Sequence, residues 1–164
     1  MPLLLPTLTN DLVDIYNKGK KGNPFPAAVG IKTGKAYVRY VSAGINAGGG
    51  AFTAMPGGSV LGGDLAEVLS KVPTSSGMIT AANMATAFDK CLSTFLSVHQ
   101  TTIISTGGFG GLYSDLNDIF SAPKGHASLY ATALARALNN YTMSAIVIGV
   151  IPDTPGIPFT GPIS

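Results

Sequence analysis

The sequence has no tryptophan, a single cysteine and little charge, with Asp, Glu, Lys and Arg making up 11% of its 164 residues. An average globular protein carries about a quarter. Each shortage excludes something. Cys91 has no second cysteine to pair with, so no internal disulfide can form, which fits synthesis in a reducing compartment. Sparse charge leaves apolar surface uncovered, and large apolar patches mark contact with other copies or with partners. A net charge of +2 is too small to specify nucleic acid. Long apolar runs are missing too. The most apolar stretch, residues 145–152 (AIVIGVIP), falls far short of the ~20 residues a spanning helix needs. The start, MPLLLPTLTND, has no basic region and is interrupted by Pro2 and Pro6, so it does not read as a signal peptide. No membrane association is expected.

What the sequence does contain is a repeat. Residues 11–16 read DLVDIY, residues 64–69 read DLAEVL and residues 115–120 read DLNDIF. A second block follows each of them at a similar distance, 24, 22 and 21 residues on: KAYVRY at 35–40, TAFDKC at 86–91 and RALNNY at 136–141. Each second block leads into a stretch rich in Gly or Pro. Spacing of this kind signals stacked supersecondary units, and the units are set at 11–63, 64–114 and 115–164.

The first block reads as a helix start. Asp11, Asp64 and Asp115 are assigned as N-caps, with Asp14, Glu67 and Asp118 three positions on as capping-box partners near the positive end of the helix dipole. Capping then accounts for six of the eight acids without chemistry. Leu12, Leu65 and Leu116 are expected in equivalent buried places. The second block reads as a longer amphipathic helix over about 81–98 in unit two, where Met84, Ala87, Phe88, Cys91, Leu92, Phe95 and Leu96 follow helical spacing. Helices over 128–145 and 27–43 are its counterparts. Gly30 and Gly34 cost the latter about 1 kcal/mol each in propensity, and they would let another backbone come close. The third block is extended, with β-type runs near 101–106 and 145–151. The proline-rich tail, with Pro152, Pro155, Pro158 and Pro162, reads as an extended arm lying on a neighbour.

Chemistry-bearing motifs are thin. Residues 30–36 (GIKTGKA) imitate a phosphate loop, but three residues separate the glycines instead of four and Ala36 stands where a magnesium-binding hydroxyl belongs. Cys91, His99 and His126 have no metal-ligand spacing, and Cys91 falls on an apolar helix face. No catalytic residue, metal or cofactor is expected. Unit one alone is basic, with net charge +4 against −1 for each of the others. Its tip, Lys18, Lys20 and Lys21, could face phosphates or an acidic partner patch, or simply solvent; so few charges bind nucleic acid weakly at physiological salt.

The expected fold is mainly α: three tandem helix–loop–helix units, about six helices, with short strands or extended segments. The units form one domain, with arms at 1–10 and 152–164. The D-L-x-x-I-F pattern, the Ala-rich helix ending in an aromatic and the Gly/Pro-rich tail ending GPIS resemble the small Ala- and Gly-rich virion proteins of tailed bacteriophages. The resemblance implies a non-enzymatic part of a head, neck or tail, in the virion after synthesis in the host cytoplasm. Its partners would be other virion proteins and copies of itself. It assigns no residue a role. Pro152, Ile157, Pro158 and Phe159 are the interface candidates from the tail. A cellular helical-repeat adaptor is the second reading, and a small Cys/His enzyme or ligand-binding protein the third.

Overall fold

A helical hairpin followed by extended backbone occurs three times along the chain. A computed structural model describes residues 3–18, 25–97, 99, 102–104, 106–122, 125–153 and 155–164. Unit one contains α1 (Leu5–Lys18), α2 (Pro26–Ser42) and β1 (Phe52–Ala54). Unit two contains α3 (Gly58–Lys71), α4 (Gly77–Leu92), β2 (Leu96–Ser97) and β3 (Thr102–Ile104). Unit three contains α5 (Thr106–Ser121), α6 (Ala127–Ser144), β4 (Ile146–Ile151) and β5 (Ile157–Pro162). The mainly helical fold in three tandem units is therefore the observed one, but the unit boundaries move: the expected starts at 11, 64 and 115 fall inside α1, α3 and α5, so each unit begins earlier, with its first helix.

The units do not stack into an open array. Each helix packs on its sequence neighbours, and α6 packs back on α1, so the six helices close into a ring. Closure removes the terminal repeats that an open array must cap. The second helix of each unit faces the centre. Tyr37, Phe88 and Leu138 occupy the same repeat position, and all three are fully buried. Tyr37 meets Phe88 edge-on at 4.9 Å between centroids, and its hydroxyl lies 2.9 Å from Thr142 Oγ1. The first helices supply Leu8, Leu61 and Leu112, then Leu12, Leu65 and Leu116, all at most 1% exposed. The three repeat leucines thus share one environment.

The extended segments close a ring as well. β1 pairs antiparallel with β2, joining units one and two. β3 pairs with β4, joining units two and three, and β4 pairs with β5 from Ile146↔Pro162 to Ile151↔Ile157. Ser164 then exchanges two backbone hydrogen bonds with Ile45, which returns the chain to unit one.

Three expectations need correction. The helices begin at Leu5, Gly58 and Thr106, six, six and nine residues ahead of Asp11, Asp64 and Asp115, and no helix has an acid in its first described turn. Those aspartates sit inside the helices and cap nothing. The starts lie instead in Pro- and Gly-containing sequence. Pro6 and Pro26 fall within the first two helical positions, where the missing N–H has no intrahelical role, and Ser76 caps α4 by accepting from Ile79 N.

Residues 5–10, expected within an extended arm at 1–10, are helical instead, with Leu8 fully buried. The tail is not a free arm either, because β5 and the buried Ile163 fold back on the molecule. Finally, α4 ends at Leu92, short of the expected 98. Thr94 terminates it by donating from Oγ1 to the Cys91 carbonyl while accepting from Gly57 N, so Leu96 passes into β2.

Candidate functional site

The repeat acids acquire their real explanation between the two helices of a unit. Asp11 on α1 pairs with Arg39 on α2, and Asp64 on α3 pairs with Lys90 on α4 at 3.3 Å. Arg39 and Lys90 hold the same position in the second block. Unit three keeps the acid, Asp115, but places Asn140 opposite it. The acid is therefore repeated because it ties one helix to the next, and the second residue of each pair was visible in the second block. Exposed pairs of this kind contribute about 0.2–1 kcal/mol. A double-mutant cycle with Asp64→Asn and Lys90→Met is expected to return a coupling in that range. A helix cap at Asp64 would give about 1 kcal/mol that is independent of Lys90.

Each pair stands in a groove, and the three grooves are equivalent. Unit one's holds about 430 Å³ and is lined by Asp11, Asp14, Lys32, Lys35 and Arg39 among others. Unit two's holds about 370 Å³ and carries Asp64, Glu67, Lys71 and Lys90. Unit three's holds about 250 Å³ and carries Asp115, Asp118 and Arg136. Their net charges are +1, 0 and −1. Lys71 bonds to Glu67 and holds that carboxyl below its ordinary value. These are solvated acid–base pairs rather than carboxylates held in the contrasting environments that acid–base catalysis needs. The imitation phosphate loop lies within α2, so it presents no strand-to-helix loop to a nucleotide.

At the ring centre a second pattern repeats. The Tyr40 hydroxyl donates to Asn139 Oδ1 and the Tyr141 hydroxyl to Asp89 Oδ1, both at 2.6 Å. The third member of each set departs from this pattern: Cys91 replaces the tyrosine and Val38 replaces the acceptor. Loss of the donor and loss of the acceptor go together, so no buried polar group is stranded. Burial, with the Asp64 carboxylate adding to it, pushes the Cys91 thiol up to about 12, which keeps it protonated and unreactive near neutral pH.

His99 is half-buried beside Phe159 in an edge-to-face contact of 5.7 Å, whereas His126 is exposed at the start of α6. Among the described residues no group of His, Cys, Asp and Glu could hold a metal. Of the basic tip, Lys18 ends α1, while Lys20 and Lys21 lie outside the described residues.

Three features escaped the sequence reading. Asn46 is buried, accepts from Gly48 N and Gly50 N at 2.9 Å each, and donates to Ser97 Oγ at 2.8 Å, tying unit one to unit two. Its signal was the Asn followed by three nearby glycines, where Gly49 takes a positive φ of 81°. The second is the alternation of β4: a strand is expected over 145–151, but not that its residues turn alternately out and in. The third is Phe25, the single aromatic among the described residues that is exposed. Neither family models, curated proteins nor solved structures match the chain.

Proposed function

We propose that the protein is a non-enzymatic structural and assembly component of a tailed-phage virion, docking on the major proteins of its head, neck or tail. The outward face of the three-stranded sheet carries this reading. Ile146, Ile148 and Val150 of β4 stand 38%, 42% and 49% exposed. Their partners across the ladder are Pro162, Thr160 and Pro158, also exposed. β3, β4 and β5 contain no charged residue. A sheet face of this kind is a docking surface by its chemistry, because β-branched side chains left in water gain by being covered.

Of the tail residues, Pro158 lies on this face and exposed Pro152 follows at the end of β4, whereas Ile157, exposed and paired with Ile151, falls with Phe159 on the opposite face, where Phe159 turns inward against Gly48 and His99 and serves the fold instead. A closed ring also offers none of the long concave surface by which open helical arrays act as adaptors, which favours the virion reading over the cellular scaffold. Mass spectrometry of purified particles is expected to detect the chain, and its absence from them would sink the assignment. In the same assay Ile148→Asp should lower incorporation into particles while costing the fold about 1 kcal/mol, the span of the strand-propensity scale.

A further inference from the structure

β4 is the most hazardous stretch of the chain to leave at a sheet edge. Its sequence, IVIGVI, is mostly β-branched and holds no charge and no proline, the make-up of segments that recruit further strands. The fold puts it in the middle of its sheet, between β3 and β5. What another chain meets is therefore the outer edge of one of those two strands.

The register shows what each edge offers. In an antiparallel ladder, successive residues turn their N–H and C=O to opposite sides. Val150 N donates to the His99 carbonyl, on the β3 side of β4. Residues 146, 148 and 150 thus face β3, and residues 147, 149 and 151 face β5. Gly161, Phe159 and Ile157 stand opposite the latter and bond to β4. Pro158, Thr160, Pro162 and Ser164 therefore turn their backbone groups outward. The two prolines have no N–H to offer, and Ser164 exchanges its bonds with Ile45. That leaves the Thr160 N–H as the outward donor, between the two prolines. The opposite edge is short, because in β3 it is Ile103 that turns its backbone groups away from β4. β3, β4 and β5 contain no charged side chain, so the lysines that commonly guard an exposed edge are missing here.

We propose that Pro158 and Pro162 shut the β5 edge against strand addition by further copies, which confines docking to the outward face of the sheet. The inference deepens the docking reading above and rests on it for the choice of face alone. Donors restored at 158 and 162 would line up with that of Thr160, and the β5 strand of a second copy could then pair along the edge.

The test is made in full chains that carry Ile148→Asp, which puts a charge into the face and leaves the edge as the place where copies can meet. With both prolines present, this chain is expected to sediment as a monomer up to about 1 mM. Adding Pro158→Val and Pro162→Val should bring on self-association at a concentration at least about 30-fold lower, the scale of a few restored backbone bonds, together with an infrared band of intermolecular strands. Thermal melts check that the chains fold, and Pro158→Thr with Pro162→Thr is the alternative pair should the valines prevent it. A proline-free edge that stays monomeric like its parent, or a parent that already pairs strands between copies, would overturn the proposal. Either result leaves the virion role standing, since that role is decided by the presence of the chain in particles.

Discussion

Gly30→Ala is expected to destabilise the protein by about 3 kcal/mol, the upper part of the range for overpacking, although alanine is the better helix former by about 1 kcal/mol. The sign is set by the crossing of α2 and α3. A Cβ on Gly30 would lie 2.4 Å from Ala66 N and 2.6 Å from Ala66 Cα. Both are backbone atoms, so the helices themselves must part. One turn along, Gly34 faces Gly62, and Gly62 faces Ile31 Cα. Separating the helices there would loosen Leu61 and Leu65 as well.

For a chain of this length each kcal/mol shifts the melting temperature by about 2–4 °C, so a fall of about 6–12 °C is expected in a thermal melt. Gly63→Ala is the control. It is exposed on α3, and nothing lies within 4 Å of where its Cβ would be. Only propensity acts there, and the same melt should show a gain of about 0.5–1 kcal/mol. Gly30→Ala and Gly63→Ala moving in the same direction would mean that the close crossing is not real.

The helical layout was legible because two signals agreed: the block repeat and the apolar spacing within each second helix. Gly30 and Gly34 were legible as a close approach for the same reason, since small residues on an otherwise apolar helix imply a near neighbour. The helix starts were not. D-L-x-acid imitates a capping box, and an acid at an N-cap looks, in sequence, like an acid that reaches across to the next helix. What separates them is the basic residue 28 or 26 positions later, Arg39 or Lys90, and such a pairing shows only once the hairpin is closed. The glycines of residues 107–111 fall in the Gly-rich third block, expected to be extended, yet they lie in the first turns of α5. Glycine lowers helix propensity, but Gly108 packs where a Cβ would lie 1.9 Å from Ser144 Oγ, so tertiary packing overrides the local preference. Ring closure itself could not be read from three equivalent units, because an open array has the same sequence period.

Residues 152–164 have the proline content of an arm, and their removal separates an arm from a structural strand most sharply. Deleting residues 157–164 is expected to lower stability by about 4 kcal/mol, with apolar burial as the largest contribution. Pro158 and Pro162 do not forbid a strand here, since proline is tolerated on an edge strand where its missing N–H faces outward, and β5 is the outer member of its sheet. The turn between β4 and β5, read as P-D-T-P-G, carries the residue types that reverse a chain.

Deletion would remove Ile163, 1% exposed, a side chain whose burial is itself worth about 1.5–3 kcal/mol. It would also take Phe159 from its place over Gly48 and His99, and break the two bonds from Ser164 to Ile45 that close the sheet ring. Val147, fully buried on the inward face of β4 and paired with Gly161, would lose part of its cover. The truncated chain should melt about 8–16 °C lower and bind a hydrophobic dye that the full chain excludes. An arm that lay on a neighbour would leave the isolated chain's stability within about 0.5 kcal/mol. Ile163→Ala gives the same distinction with one residue: about 2–4 kcal/mol if the tail is part of the core, and no measurable change if it is not.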